Sequence, residues 1–513
     1  MPADSADSLT VGEILRYQAR TRGDHPLLVC DRDRISYAQA AHRSADLARE
    51  LIALGAGKGT HVGLLYPNGT DFVVGMLAAA RIGAVVVPFS TFATARELRE
   101  QLVDSDVEIL LSASSFRSHD YAAQLAEVLA VPDFDCSERL FVPAVPQLRR
   151  VAVNGKGVED LVEAALLEAL ENDVDGSDPL AIIYTSGSTS APKGVVHTHA
   201  ALLGHQKNLN EIRGLAADDK LFCNSPFFWV GGFAFGLLAT LVAGSTLICS
   251  NATNAVDTLD LLEAEKPTMT NGFAAGIAHL AADPSFAAHD LSSLQRGNLY
   301  PIMAPSARPS DPELRHNMLG LTEAGSVVLI SGDESDQPET RRGSFGKPAP
   351  GFQIQIVNPD SDGVGELCIR GPFVMQGYHK RSREACFDPD GWFHTGDLVR
   401  TDDDGFAYFG GRLSTMIKTA GANVSAAEVE KAIAKVSGAE AYVVGIPDAE
   451  RGELVAAVIV SPELDEAALR QRLKDELSSY KIPRRFLNLP RTQVPLLSSG
   501  KVDTRQLKKL FDG

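Results

Sequence analysis

The chain runs to 513 residues, more than one hydrophobic core supports, so two or more domains are expected. Apolar residues make up 44% and charged residues 22%, which excludes a disordered or fibrous chain, and a net charge of −18 argues against general nucleic-acid binding. The charge is uneven: from Ser414 onward 15 Lys and Arg stand beside 13 Asp and Glu, against 33 and 53 in the remainder, so the C-terminal part is the candidate for polyanionic ligands.

The acidic, polar stretch from Met1 to Ser8 is no secretory signal, and a cytoplasmic protein is expected. Residues 9 to 115 alternate helical periodicity (Val11 to Arg22, Tyr37 to Leu54, Thr94 to Asp104) with short apolar runs (His61 to Tyr66, Ala84 to Pro88, Glu108 to Ser112). That alternation predicts a layered α/β fold with a largely parallel sheet, and residues 178 to 340 continue it. The apolar run from Gly231 to Cys249 is broken by glycines and suits a buried helix and strand better than a membrane span. From Gly343 to Phe409 short strands separated by Gly and Asp-Gly turns predict a β-rich subdomain. Beyond the joint Gly410 to Ser414, a helix at Ser425 to Val436, strands at Glu440 to Ile446 and Val455 to Val460, and a helix at Glu466 to Leu477 predict a small α+β unit. The expected class is therefore α/β. A large N-terminal domain (1–413), with its β-rich subdomain at about 343–410, precedes a small C-terminal α+β domain (414–513). Six scattered cysteines, with no Cys-x-x-Cys pair and no His cluster at metal spacing, read as thiols rather than a zinc or disulfide framework.

The most informative stretch is Tyr184-Thr185-Ser186-Gly187-Ser188-Thr189-Ser190-Ala191-Pro192-Lys193-Gly194. It follows the apolar run Leu180 to Ile183 and precedes a helical pattern beginning near His199. A strand, a hydroxyl- and glycine-rich loop with one lysine, then a helix reads as a phosphate cradle. It is not a Walker loop, because Lys193 is not followed by Ser or Thr. The competing reading is an ordinary Ser/Gly surface loop. Further along, Leu319 to Glu323 offers a hydroxyl and a carboxylate suited to phosphate and magnesium. His394-Thr395-Gly396-Asp397 puts a carboxylate on a turn, suited to ribose hydroxyls, and Gly411-Arg412 adds a second contact. Pro495 to Lys501 carries a lysine on a polar loop.

Together, and in this order, these stretches resemble the adenylate-forming superfamily of acyl-CoA synthetases, peptide-synthetase adenylation domains and firefly-type luciferases, from about Val11 to Lys509. The resemblance implies ATP, magnesium and coenzyme A as cofactors and a C-terminal domain that is mobile between half-reactions. It implies that Thr185, Ser186, Gly187, Ser188, Thr189 and Lys193 hold the triphosphate. Gly320, Leu321 and Thr322 would line the adenine and α-phosphate region, Glu323 would hold magnesium, and Asp397 and Arg412 would bind ribose. Lys501 would bridge the substrate carboxylate and α-phosphate.

The segment Ile417 to Ser425 looks most like the CoA-ligase branch, with Gly421 bordering the pantetheine tunnel and Lys418 and Asn423 near the active centre. Phe228, Trp229, Gly231, Gly232 and Phe233, with Ala274 and Ala275, match the acyl pocket. Apolar walls with small floor residues favour a large hydrophobic acid over acetate or an amino acid.

The implied function is a free-standing acyl-CoA ligase. Alternatives are a thioesterification-only ligase using a preformed acyl-adenylate, an acyl-AMP ligase loading a carrier protein, or a dead acyl-binding scaffold. A homodimer is left open. Ser190 stands where the family loop has glycine, Leu319 where an aromatic often packs beside adenine, and Ser414 at the hinge; Leu294 to Gly320 looks compressed. These departures put adenylation in question.

Overall fold

The computed structural model describes residues 9–131, 138–154, 161–185, 193–413, 416–461, 464–495 and 502–511, with Ala275 and Arg505 described in backbone only. Helix Val11–Arg22 starts at Thr10 and helix Ala95–Asp104 at Thr94. In both, the threonine side chain takes the backbone N–H three residues on, and the glutamate there returns a bond to the cap. This reciprocal cap satisfies N–H groups that a first turn leaves bare.

The two largest sheets among the described residues lie in the large domain. The first runs in the order Gly377–Tyr378, Lys193–Thr198, Pro179–Thr185, Val85–Pro88, His61–Leu65, Ile109–Ser112, Arg150–Val153. Its five strands from Pro179–Thr185 to Arg150–Val153 pair in parallel. Val62, Leu64 and Val86 face one core cluster, while Val85, Val87 and Leu110 face another, as a sheet covered on both sides requires. The second sheet runs from Arg296–Gly297 through Met269–Asn271, Lys220–Cys223, Thr246–Cys249 and Pro26–Cys30 to Asp33–Ser36, the last pair antiparallel.

The run Gly231 to Cys249 becomes a short helix Val230–Gly232, a π-helical turn Phe233–Leu238, helix Ala239–Ala243 and strand Thr246–Cys249. Among the described residues no helix is long and apolar enough to cross a membrane. The region of short strands folds into an antiparallel four-stranded sheet, Gln353–Val357, Gly365–Arg370, Phe393–Thr401 and Ala407–Arg412. In the small C-terminal domain, strands Met416–Thr419, Ala422–Ser425, Glu440–Asp448, Gly452–Val460 and Arg485–Leu489 form one sheet. Helices Ala426–Ser437 and Glu466–Leu473 pack through Val429, Ile433, Leu469 and Leu473 into the cluster that this sheet supplies.

One local expectation is corrected. The phosphate stretch is not strand, loop and helix but a hairpin: Lys193–Thr198 pairs antiparallel with Pro179–Thr185, Lys193 opposite Thr185, before helix His199–Arg213 begins. The pair Val195-Val196 opposite Ile183 and Ile182 favours extended backbone, so Lys193 sits on a strand and the helix begins only at His199.

Three buried histidines set an acid limit on stability. Burial lowers the imidazoles of His197, His199 and His205 to about 4. The unfolded chain binds these protons below about pH 6.5 while the folded chain refuses them. Their contribution is therefore complete above that value and is lost as pH falls towards 4, by about 1.4 kcal/mol per unit for each. Urea midpoints at about pH 7 and about pH 5 check this, and an unchanged midpoint would count against it.

Candidate active site

Strand pairing gathers the polar residues. Lys193–Thr198 also pairs with Gly377–Tyr378, Val195 opposite Tyr378, which puts Tyr378 beside the two strands that flank the expected phosphate loop. The Lys193 ammonium lies 5.0 Å from the centre of the Tyr378 ring. The Tyr378 hydroxyl donates to Glu323 Oε1 at 2.7 Å. Burial, reinforced by the Glu323 charge, pushes that hydroxyl far up, so it stays a donor. Lys193, Tyr378 and Glu323 thus converge, with Thr185 opposite Lys193 in register. Glu323 follows Gly320 and Leu321, on strand Leu319–Leu321, and Thr322, on the one-turn 3-10 helix Thr322–Ala324. The buried His197 fixes this turn by donating from Nε2 to the Thr322 carbonyl at 2.7 Å. Leu319 packs into the core, and three 3-10 turns, Tyr300–Ile302, Pro305–Ala307 and Pro312–Leu314, fill the compressed stretch before it.

Asp397 and Arg412 meet across Phe393–Thr401 and Ala407–Arg412. The Arg412 guanidinium donates to both Asp397 oxygens, at 2.5 and 3.3 Å, and Asp397 is fully buried. A residue outside the sequence expectations shapes this turn: Glu366 accepts the Gly396 N–H at 3.1 Å and pairs with His394 Nδ1 at 2.8 Å. Cys368 joins Glu366 and His394 within 4.8 Å, a cluster that Cys368 opposite His394 in the ladder assembles from positions distant in sequence. Burial pushes the Cys368 thiol up to about 12, which keeps it protonated.

The residues expected at the acyl pocket lie where the C-terminal domain docks. Phe228, Trp229 and Phe273 form an edge-to-face series with centroids 5.4 and 6.4 Å apart, and Tyr480 of the C-terminal domain meets Trp229 at 6.5 Å. Gly232 tolerates no side chain, since a Cβ there would meet the Pro226 carbonyl oxygen at 2.1 Å. Gly231 lies beside it, half-buried, and Ala274 is exposed. Phe233 is fully buried and packs on Phe72 in the main core.

The tip of the hairpin joining Met416–Thr419 to Ala422–Ser425 reaches this series. Ala420 and Gly421 both adopt positive φ, 48° and 86°, a two-residue turn that matches strand twist. A Cβ on Gly421 would sit 2.4 Å from the Phe273 ring. Lys418 and Asn423 are paired in register on the same hairpin, both exposed.

Ser186, Gly187, Ser188, Thr189, Ser190, Pro192, Ser414 and Lys501 lie outside the described residues, as does the Ala275 side chain. A surface cleft of about 690 Å³, lined by Arg96, Arg99, Asp104 and Lys380 among others, includes none of the predicted site residues.

Residues 15–379 match the AMP-binding enzyme family, and residues 428–501 match the AMP-binding enzyme C-terminal domain. The chain belongs to the AMP-binding enzyme family. It is 31% identical to the putative acyl-CoA synthetase YngI of Bacillus subtilis, over 98% of this chain and 96% of that protein. It is likewise 31% identical to a methyl-dioxo-octahydroindenyl-propanoyl:CoA ligase of Mycobacterium tuberculosis, over 98% of this chain and 99% of that one. In fold it is similar to a double mutant of o-succinylbenzoate CoA synthetase (MenE) from Bacillus subtilis bound with its product analogue. There the TM-score is 0.74 at 24% identity, covering 97% of this chain and 98% of that chain. This AMP-binding enzyme therefore has the two-domain α/β architecture of adenylate-forming CoA ligases, which generally use ATP and CoA.

Proposed function

We propose that this AMP-binding enzyme, an AMP-forming acid–thiol ligase, activates a large hydrophobic carboxylic acid and transfers it to the thiol of coenzyme A. The observation that carries the reading is the glycine-tipped hairpin of the C-terminal domain, seated on Phe273 beside Trp229. A small tip of alanine and glycine against an apolar wall suits passage of a thin thiol arm to an acyl group. The edge-to-face aromatics Phe228, Trp229 and Phe273 favour an apolar acyl body, and the relative named for a two-ring propanoyl group supports bulk over length alone.

In the first step a carboxylate oxygen of the acid attacks the α-phosphorus of ATP and pyrophosphate leaves. Lys193 faces the developing phosphate charge, and Lys501 would neutralise charge at the carboxylate. Catalysis is then positional and electrostatic. Glu323 fits magnesium: it is a hard oxygen donor aimed by Tyr378, and its second oxygen has no partner among the described residues. Asp397 and Arg412 would take the ribose, with Glu366 holding their turn. In the second step the CoA sulfur attacks the acyl carbon and AMP leaves. A rotation of the C-terminal domain about the segment near Ser414 separates the steps.

The test is to incubate the protein with magnesium, CoA and a panel of hydrophobic acids, supplying either acid plus ATP or synthetic acyl-AMP. Acyl-CoA from both routes is expected, and its mass names the acid. Product from acyl-AMP alone would assign the thioesterification-only activity instead.

A further inference from the structure

The C-terminal domain is tied to the large domain by a buried charged junction distant in sequence from the motifs described so far. Lys481 Nζ donates to Glu97 Oε1 of the large domain at 2.7 Å and to Glu428 Oε1 of its own domain at 2.7 Å. The Ser478 hydroxyl donates to Glu97 Oε2 at 2.5 Å, and the Ser478 N–H reaches Oε1 at 3.4 Å. Glu97, Ser478 and Lys481 are 8%, 3% and 6% exposed, so water does not compete for these bonds. Beside them Arg96 pairs with Glu476, which also takes Lys435 at 2.7 Å.

This junction is connected to the acyl site. Tyr480, between Ser478 and Lys481, contacts Phe92 and Trp229 at 6.3 and 6.5 Å, and Trp229 contacts Phe273, whose ring receives Gly421. Charge pairs of this kind fix orientation, because a shift gives up short, water-excluded charged hydrogen bonds that form in one geometry.

We propose that Glu97 and Lys481 are positioning residues for thioester formation, an ion pair that holds the C-terminal domain in the orientation seating Gly421 at the acyl site. The inference rests on the ligase reading above. The pair is also built to part. On separation Lys481 keeps Glu428, and Glu97 keeps the Thr94 N–H and hydroxyl, which it accepts at 2.9 and 3.3 Å as the reciprocal cap of its helix. Neither group is orphaned, so the junction can open for the other half-reaction. Burial alone would raise the Glu97 carboxyl, but Lys481, Ser478 and Thr94 outweigh it and hold the group below the ordinary carboxylate value.

The deciding variant is Glu97→Gln. Glutamine serves equally in the reciprocal cap with its one oxygen in the place of Oε2, and Lys481 retains Glu428, so the loss is confined to the cross-domain charge and the acceptor at Oε1. Single-turnover conversion of acyl-AMP to acyl-CoA is expected to fall about tenfold or more, while ATP–pyrophosphate exchange stays within about twofold. Lys481→Met should behave in the same way and Lys481→Arg should restore most of the rate. Equal loss in both half-reactions, or no loss in either, overturns the proposal. Amide exchange in the hairpin 416–425 gives a second reading independent of turnover. Faster exchange in Glu97→Gln than in the parent protein is expected, and identical exchange overturns the positioning role. Failure of the parent protein itself to convert any acyl-AMP would instead overturn the ligase reading.

Discussion

Gly421→Leu is expected to stop thioester formation, by about a hundredfold or more, and to leave adenylation within about twofold. Two effects act together. At φ 86° a side chain other than glycine's is strained, on the order of 1–3 kcal/mol. The new Cβ also meets the Phe273 ring at 2.4 Å, inside van der Waals contact, so the hairpin cannot seat where it now lies. The clash exists only while the C-terminal domain is docked in this orientation, which is why the two half-reactions should separate. Acyl-AMP conversion and pyrophosphate exchange measured on the same preparation check it. The second variant, Gly421→Leu with Phe273→Ala, removes the ring that the side chain strikes and should recover part of the thioester rate. Equal loss of both half-reactions in the single variant would mean that the substitution unfolds the hairpin rather than blocking its seat.

Legibility of the molecule from its sequence followed how local each feature is. Helix Val11–Arg22 and strand Gly365–Arg370 match their expected bounds because caps, periodicity and turn residues all lie within a few positions of each other. The strand Lys193–Thr198 was hidden: only Val195 and Val196 favour it, and glycine, histidine and a glycine-rich loop surround them. Its partners, Pro179–Thr185 and Gly377–Tyr378, decide its conformation. For the same reason Tyr378 could not be read as a site residue. Nothing near it in sequence marks it, and it reaches Glu323 only through the sheet. Glu366 and His394 are joined in the same way by antiparallel register. Glu97 is legible as a cap three residues after Thr94, but its second partner, Lys481, is 384 positions away. Residue types that chemistry needs could be found one motif at a time, whereas residues that aim those motifs required the fold.

Asp397→Ala is expected to lower both half-reactions by about a hundredfold, because the proposed ribose contact serves ATP and acyl-AMP alike. Asp397 is fully buried with both oxygens on Arg412. Ribose hydroxyls reach it only if Arg412 shifts or shares, and removing the carboxylate also leaves the guanidinium without its partner. That second effect costs about 3 kcal/mol at most, given that the Arg412 side chain keeps 19% of its exposure and so some solvation. The two causes separate in the double variant Asp397→Ala with Arg412→Ala. If the carboxylate only neutralises Arg412, deleting both recovers stability and a rate equal to that of Arg412→Ala alone. If it binds ribose, thermal stability recovers and the rate does not. A ligand series sharpens the distinction. The parent protein should prefer ATP to 2′,3′-dideoxy-ATP strongly, and the Asp397→Ala variant should treat the two alike, since a missing hydroxyl matters only where its partner is present. Retained discrimination in the variant would assign ribose recognition to other residues and leave Asp397 as the anchor of Arg412.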